Sequence, residues 1–200
     1  MLSVSNIPAY ILAGGKSTRF GSDKTRVIVD GQALVQRVAA ALTPAVGGIT
    51  VIGQHAEAFA DLGLRTIADR QFNCGPLGGL DAALADRGQG WLLLVSCDFV
   101  HIRAEWVQTL ATQLSEQYSA IAFRAQFWEP LFALYHTSLS VEVNQRLIRN
   151  HFAMWKLLDT INSHPVPLPA DWPALAHVNT PLELAKTLSQ HPPAKESNNG

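Results

Sequence analysis

From Ile11 to Lys24 the chain reads Ile-Leu-Ala-Gly-Gly-Lys-Ser-Thr-Arg-Phe-Gly-Ser-Asp-Lys. Two adjacent glycines, Gly14 and Gly15, share this stretch with the hydroxyls of Ser17 and Thr18 and the cations Lys16, Arg19 and Lys24. Consecutive small residues let a backbone approach a phosphate chain closely and point several N–H groups at it. The cations can neutralise charge on the same group. The chemistry this pattern suits is the cradling of a polyphosphate.

Such a loop works only where the fold holds it. The apolar run Ile7–Leu12 before it reads as a first strand, and a short extended segment, Val27–Val29, follows it. Leu34–Leu42 carries apolar residues at helical spacing and stops before Pro44. Gly48–Gly53 reads as a strand, His55–Leu62 as a short helix, and Leu64–Ile67 as a strand that ends at Asp69. Pro76–Ala85 is a small-residue helix behind a second glycine loop, Gly75–Gly79. Trp91–Ser96 is the clearest strand, apolar on both faces as a covered strand should be. A helix over Ala104–Gln117 and a strand over Ser119–Phe123 follow. Further on, Phe127–Tyr135 reads as extended, Ser138–Asn150 and Met154–Ile161 as helical, and Pro165 to Pro173 as a stiff connection. Asn179-Thr180-Pro181 opens a last helix with Thr180 at its N-cap, and His191–Gly200 reads as a frayed tail.

Strand–helix alternation of this kind predicts an α/β fold with a mostly parallel sheet and helices on both faces. Ligands of such sheets collect at the carboxyl ends of the strands. The cradle, Asp69, the Gly75–Gly79 loop and Asp98 all fall at that edge, so one cleft is expected.

Gly15-Lys16-Ser17 after a strand invites a P-loop reading. That motif needs a glycine five residues before Gly15, where this chain has Tyr10, and the residues between belong to the strand. The P-loop is therefore set aside.

Bulk properties narrow the class. Two hundred residues, 48% hydrophobic and 16% charged, suit one soluble domain with a sizeable core. A net charge of −1 confines any cationic site to a local patch and gives no nucleic-acid or membrane surface. No segment approaches the ~20 apolar residues that span a bilayer, and no secretory signal is visible, so the cytoplasm is expected. Cys74 and Cys97 have no metal-ligand spacing and read as reduced thiols, Cys97 as a small core residue. His136, His151 and His177 likewise have no metal spacing and read as ordinary histidines; the five tryptophans read as core or rim residues.

Leu12 to Lys24, as Leu-Ala-Gly-Gly-x-Ser-x-Arg-x-Gly-x-Asp-Lys, resembles the signature loop of nucleotidyltransferases that cap a phosphorylated acceptor. Within them the double glycine and the Asp-Lys ending resemble the molybdenum cofactor guanylyltransferase family. Gly75-Pro76-Leu77-Gly78-Gly79-Leu80, Ser96-Cys97-Asp98 and His177-Val178-Asn179-Thr180-Pro181 resemble that family's three later motifs, in order, over about residues 7 to 188. The resemblance implies a Rossmann-like fold of the nucleotide-diphospho-sugar transferase type. It implies a single domain over 1–190, with a nucleotide half to about 124, an acceptor half from about 125 to 190, and a disordered tail over 191–200.

The implied activity is Mg²⁺-dependent transfer of GMP from GTP to the terminal phosphate of a molybdopterin-type molybdenum cofactor, with release of pyrophosphate. Gly14 and Gly15 would donate N–H groups to the triphosphate, Arg19 would hold its β/γ oxygens, Lys24 would neutralise charge at the α-phosphate, and Asp98 would bind the metal. Leu12 and Ala13 would meet the base or ribose through their backbone, and Asp69 would accept from guanine or serve as a plain loop residue. Gly75, Pro76, Gly78, Gly79 and Asn179 would border the acceptor, with Gly78 and Gly79 alternatively present for close helix packing. Implied partners are GTP, the molybdenum cofactor, other cofactor-synthesis proteins and acceptor apoenzymes, with no nucleic acid and no membrane.

The chain departs from the family pattern at four points. Ser96 and Val100 stand where prolines usually flank the Cys-Asp pair, Ile52-Gly53 stands where an Asn often helps hold the guanine, and His177 replaces the first Asn of the closing motif. These departures keep two alternatives open: a cytidylyl- or uridylyltransferase acting on another phosphorylated acceptor, and a non-catalytic cofactor-binding relative.

Overall fold

The computed structural model describes residues 6–14, 24–71, 73–99, 101–174, 176–178, 180, 182–184 and 186. Gly15, Arg19 and Asn179, expected at the site, and the tail expected over 191–200 lie outside the described residues.

One seven-stranded sheet organises the chain in the order β5-β4-β1-β6-β8-β7-β9. Its strands are β1 (Ala9–Leu12), β4 (Ile49–Gly53), β5 (Thr66–Ala68), β6 (Trp91–Ser96), β7 (Ala120–Arg124), β8 (Trp128–His136) and β9 (Ser163–Val166). A small hairpin of β2 (Ile28–Val29) and β3 (Gln32–Ala33) stands beside it. The pairs β1–β4, β1–β6, β4–β5 and β7–β9 are parallel, and only β8 runs against its two neighbours. The mostly parallel sheet read from the sequence is therefore the observed one.

Burial on both faces explains the continuous apolar strands. In β6, Leu92, Leu93, Leu94 and Val95 are all fully buried. Leu93 and Val95 join Ile11, Val51 and Phe132 in one core with residues of α1 (Leu34–Leu42) and α3 (Ala104–Ala111). Leu92 and Leu94 join Tyr10, Ile52 and Tyr135 in a second core with residues of α2 (Pro76–Arg87), α4 (Ser140–Ile148) and α5 (Met154–Thr160). Helices thus cover both faces, and alternate side chains of each strand feed alternate cores.

Three segments differ from the expectation. Residues 55–62 form turns and a single 3₁₀ turn, Ala60–Leu62, in place of a helix. There the Arg26 guanidinium takes the Ala58 carbonyl and the Asp61 carboxylate, and that tie competes with helical bonding. Helix α3 stops at Ala111, well short of Gln117. The Thr109 and Thr112 hydroxyls bond to backbone carbonyls behind them, and such local bonds favour helix ends. Finally, the connection expected from Pro165 begins as a strand. β9 pairs in parallel with β7, and Pro165 is tolerated there because β9 is an edge strand.

All the strand ends expected to gather do so. β1, β4, β5, β6, β7 and β9 run the same way, while β8 begins at the edge where they finish. The termini of β1, β5 and β6 and the start of α2 therefore share one rim with Trp128 and Glu129.

Candidate active site

β1 hands its last backbone groups to both neighbours. Ala13 N donates to Ile52 O at 3.0 Å, and Cys97 N donates to Leu12 O at 3.1 Å. These bonds hold Leu12 and Ala13, with the exposed Gly14 next in the chain, directly beside the turn that carries Asp98. Cys97 is buried among apolar neighbours, as expected of a core thiol.

Lys24 opens a 3₁₀ turn, Lys24–Arg26, and is almost fully buried. The turn is anchored next door, where Arg26 forms a bidentate pair with Asp61 and lies 5.3 Å from the centre of the Phe59 ring. So fixed, Lys24 Nζ stands 3.5 Å from Asp98 Oδ2. Residues that sequence spacing left far apart face each other at the rim.

Asp98 has a further partner that the sequence did not point to. His177 Nδ1 lies 2.9 Å from Asp98 Oδ1, and its Nε2 lies 3.0 Å from Glu129 Oε1. Both ring nitrogens face carboxylate oxygens, an arrangement met by a doubly protonated imidazolium donating twice. Burial by itself would lower the His177 pKa, but the bonds and charges of Asp98 and Glu129 outweigh it and raise it to about 9. Burial would likewise raise the Asp98 pKa. The His177 bond and charge, a bond from Ser96 and the Lys24 charge together hold it below the usual carboxylate value.

The strand before this segment and the aromatic cluster after it explain how His177 arrives there. After β9 the chain returns across Trp172, whose ring packs on Trp106 at 4.6 Å and on Phe99 at 5.7 Å. Asp171 accepts from Trp106 Nε1 at 3.0 Å and ion-pairs with Arg103. Phe99 and His177 then form an isolated antiparallel bridge, Val178 N donates to Asp98 O, and the two rings lie 4.2 Å apart. Thr180 and Glu183 exchange side-chain-to-backbone bonds, so the N-cap expected at Thr180 is one half of a capping box. Spacing marks His177 only as an ordinary histidine; the one sequence signal it carries is its departure from the closing motif. Glu129 carried none, because only the hairpin between β7 and β8 brings it to the rim.

On the other flank, Asp69 follows β5, and its N–H donates to Gly53 O at 2.9 Å. Its Oδ1 accepts from Gln71 N at 3.0 Å. Burial pushes its carboxyl pKa up, the Gln71 and Arg70 amides pull it down and the nearby Asp81 charge pushes it up again, with a net rise. Gly75 precedes α2 at φ +60° and ψ −152°, a conformation open essentially to glycine alone, and Pro76 fills the first helical position.

The next two glycines are explained by contact. A β-carbon on Gly78 would stand 3.0 Å from Gln71 O and 3.1 Å from Asp69 Oδ1. One on Gly79 would overlap the Leu12 side chain. Of the two readings left open for them, close packing of α2 onto Leu12 and Asp69 accounts for their type. Gly53 is equally confined: a β-carbon there would lie 3.1 Å from Ala58 Cβ and 3.3 Å from both Phe59 and Thr66. Packing thus links Asp69, Gly78, Gly79, Leu12, Cys97, Asp98 and Lys24 in one continuous rim.

The arrangement can bind a polyphosphate and stabilise charge on it. Backbone at the end of β1 borders the site, a buried cation faces a carboxylate held ionised, and a second carboxylate lies half-buried on the β5 side. Among the described residues no helix is long and apolar enough to cross a membrane.

Known proteins share this architecture. Molybdenum cofactor guanylyltransferases of Yersinia pestis (strain Pestoides F) and Yersinia pseudotuberculosis (serotype O:1b) are each 29% identical over 181 residues, which cover 89% of this chain and 93% of theirs. Among solved structures, the molybdopterin-guanine dinucleotide biosynthesis protein A of Archaeoglobus fulgidus superposes with a TM-score of 0.79 at 20% identity, covering 92% of this chain and 98% of that one. The inositol-1-phosphate CTP transferase of T. maritima has the same fold, with a TM-score of 0.70 at 13% identity over 94% and 96% of the two chains. A family model, the MobA-like NTP transferase domain, matches residues 9–165, from the first residue of β1 into β9, and the chain belongs to this family of nucleotidyltransferases.

Proposed function

We propose that the protein transfers GMP from GTP to the terminal phosphate of a molybdopterin-type molybdenum cofactor and releases pyrophosphate. The observation that carries this reading is the approach of Lys24 to Asp98 at the rim of a MobA-like domain, beside the backbone that ends β1. The names of the Yersinia relatives support guanine and the molybdenum cofactor as the two substrates.

The reaction brings two anions together, so charge neutralisation and alignment supply most of the rate. Lys24, buried and aimed at the rim, neutralises charge growing on the α-phosphate and the departing pyrophosphate. Arg19 holds the β/γ oxygens, and Gly14 and Gly15 donate backbone N–H groups. The Leu12 and Ala13 backbone meets the ribose or base. Asp69 accepts from the N1–H and exocyclic amine of guanine, a pair that adenine does not offer. Gly75 and Pro76, with Gly78 and Gly79 behind them, and Asn179 border the acceptor.

Mg²⁺ fits the donor set. It is held by one or two carboxylates with phosphates and water completing its shell. Asp98 offers one ionised carboxylate, and among the described residues no group of three or more His, Cys, Asp or Glu is disposed as a closed metal cage. Asp98 would hold the ion, which would offset charge on the phosphates. The acceptor phosphate is itself the nucleophile, so no side chain need attack.

Gly53 favours a second reading. With Ile52 it stands where the family often has an Asn, and its surroundings leave little room for a side chain. Cytidylyl or uridylyl transfer to another phosphorylated acceptor would keep Lys24 and Asp98 in the same roles. Calorimetry with GTP, CTP, UTP and ATP in the presence of Mg²⁺ separates the readings. A tenfold preference for GTP, about 1.4 kcal/mol, is expected; a pyrimidine preference overturns guanine, and failure to bind any of the four leaves a non-catalytic cofactor-binding relative.

A further inference from the structure

The carboxylate at the rim is not left to choose its own orientation. Asp98 Oδ1 is met by His177 Nδ1 at 2.9 Å, while Oδ2 faces Lys24 at 3.5 Å. His177 is itself held on three sides. Its Nε2 meets Glu129 Oε1 at 3.0 Å, its ring packs on Phe99 at 4.2 Å, and its backbone is bridged to Phe99. The ring is about a quarter exposed and both carboxylates still less, so solvent competes weakly for these bonds.

Resting on the reading of Asp98 as the metal-binding carboxylate, we propose that His177 is a positioning residue for the transfer. It clamps Asp98 Oδ1 and thereby turns Oδ2 towards Lys24 and the cation that accompanies the triphosphate; Glu129 is the outer member that fixes the ring. The geometry separates this role from a simple structural tie. A tie between β8 and the returning C-terminal segment needs only the Glu129 bond and the Phe99 stack. The clamp needs the bond from Nδ1 to Asp98, which leads to the β6 turn and the reacting groups.

Two near-isosteric substitutions divide the imidazole between these tasks. The amide nitrogen of Asn falls near the position of Nδ1 and can keep the Asp98 bond. That of Gln falls near Nε2 and can keep only the Glu129 bond. Mn²⁺ binding to the protein with GTP, followed by electron paramagnetic resonance, reports the clamp without turnover. His177→Gln is expected to weaken Mn²⁺ binding roughly 10- to 100-fold, as loss of an orienting partner does. His177→Asn should recover most of that loss. Should His177→Gln fail to fold, Glu129→Ala leaves the ring with one polar partner and should weaken Mn²⁺ binding severalfold.

Wild-type Mn²⁺ affinity in the Gln variant, with only the melting temperature lowered, overturns the clamp and leaves a structural tie. Asp98→Asn serves as the reference. If it abolishes Mn²⁺ binding while His177→Gln does not, the clamp alone is wrong. If Asp98→Asn binds Mn²⁺ as the wild type does, the metal role of Asp98 fails, and the function of the clamp fails with it.

Discussion

Lys24 Nζ and Asp98 Oδ2 stand 3.5 Å apart, an enclosed cation against an enclosed carboxylate. The two come from different elements, a 3₁₀ turn and the end of β6, and meet only because Arg26 pins the first and β1 pins the second. A cation so placed is costly to bury unless something anionic meets it, and Asp98 supplies that partner. Lys24→Ala should therefore lower kcat roughly 100- to 1,000-fold, the effect of removing one charge-stabilising group, while changing the KM for GTP far less. Steady-state kinetics check this. An equal loss in nucleotide affinity would make Lys24 a ground-state binding residue.

Asp69 gives a pH dependence with a defined direction. Burial raises its carboxyl above the ordinary value, so it takes up a proton at a higher pH than a free carboxylate. A protonated Asp69 cannot accept from both guanine donors. GTP affinity should fall on acidification before the ordinary carboxylate range is reached, and Asp69→Asn should remove that dependence. The same variant should cut the preference for GTP over ATP by about tenfold, ~1.4 kcal/mol. Calorimetry across pH tests both.

Gly53 bears on the proposed recognition of guanine. Its β-carbon would crowd Ala58, Phe59 and Thr66. Gly53→Asn should destabilise the fold by about 1–3 kcal/mol, as overpacking does, and should not sharpen guanine preference. Urea denaturation and a nucleotide panel measure the two outcomes; a stable variant with tighter GTP binding would show that the strand gives way.

Gly79 couples stability to the end of β1. A methyl group there meets Leu12, which is buried against Ile52 and α2 and can turn aside only by displacing its neighbours. Gly79→Ala should cost about 1–3 kcal/mol and raise the KM for GTP. Adding Leu12→Ala should recover part of the stability, a coupling that a double-mutant cycle reads directly.

At the opposite edge of the sheet, Asp86 accepts from Arg65 at 2.7 Å and 2.9 Å and from the Tyr10 hydroxyl at 2.8 Å. The Arg65 bond leads in lowering its pKa, against desolvation, and the Tyr10 bond adds to it. A carboxyl with a lowered folded-state pKa contributes stability above the unfolded value and loses it as pH falls through the folded one. Arg65 is more than half exposed, so solvent screening keeps the contribution near about 1 kcal/mol. Asp86→Asn should lose about that much at neutral pH and nothing in strong acid, as denaturant midpoints at the two pH values would show.

Much of this protein could be read from its residues alone. The α1 and β6 boundaries, the helix behind Gly75 and the Thr180 cap are all local matters. Apolar periodicity, proline and glycine placement and capping chemistry determine them within a few residues. Asp69 and Asp98 follow apolar runs that mark strands, which places them at the rim, whereas Lys24 stands out only within the glycine-loop motif.

Tertiary structure alone decided what met what. Nothing in the chain near Glu129 announces a site, because its position depends on the antiparallel insertion of β8 between β6 and β7. His177 becomes an Asp98 partner only after Trp172, Trp106 and Phe99 have packed the returning segment against the sheet. Pro165 enters a strand because the last parallel pairing leaves β9 with an unpaired edge. Periodicity reports the face a residue buries; contacts between distant segments arise from the packing of whole elements, and no local window of sequence holds that information.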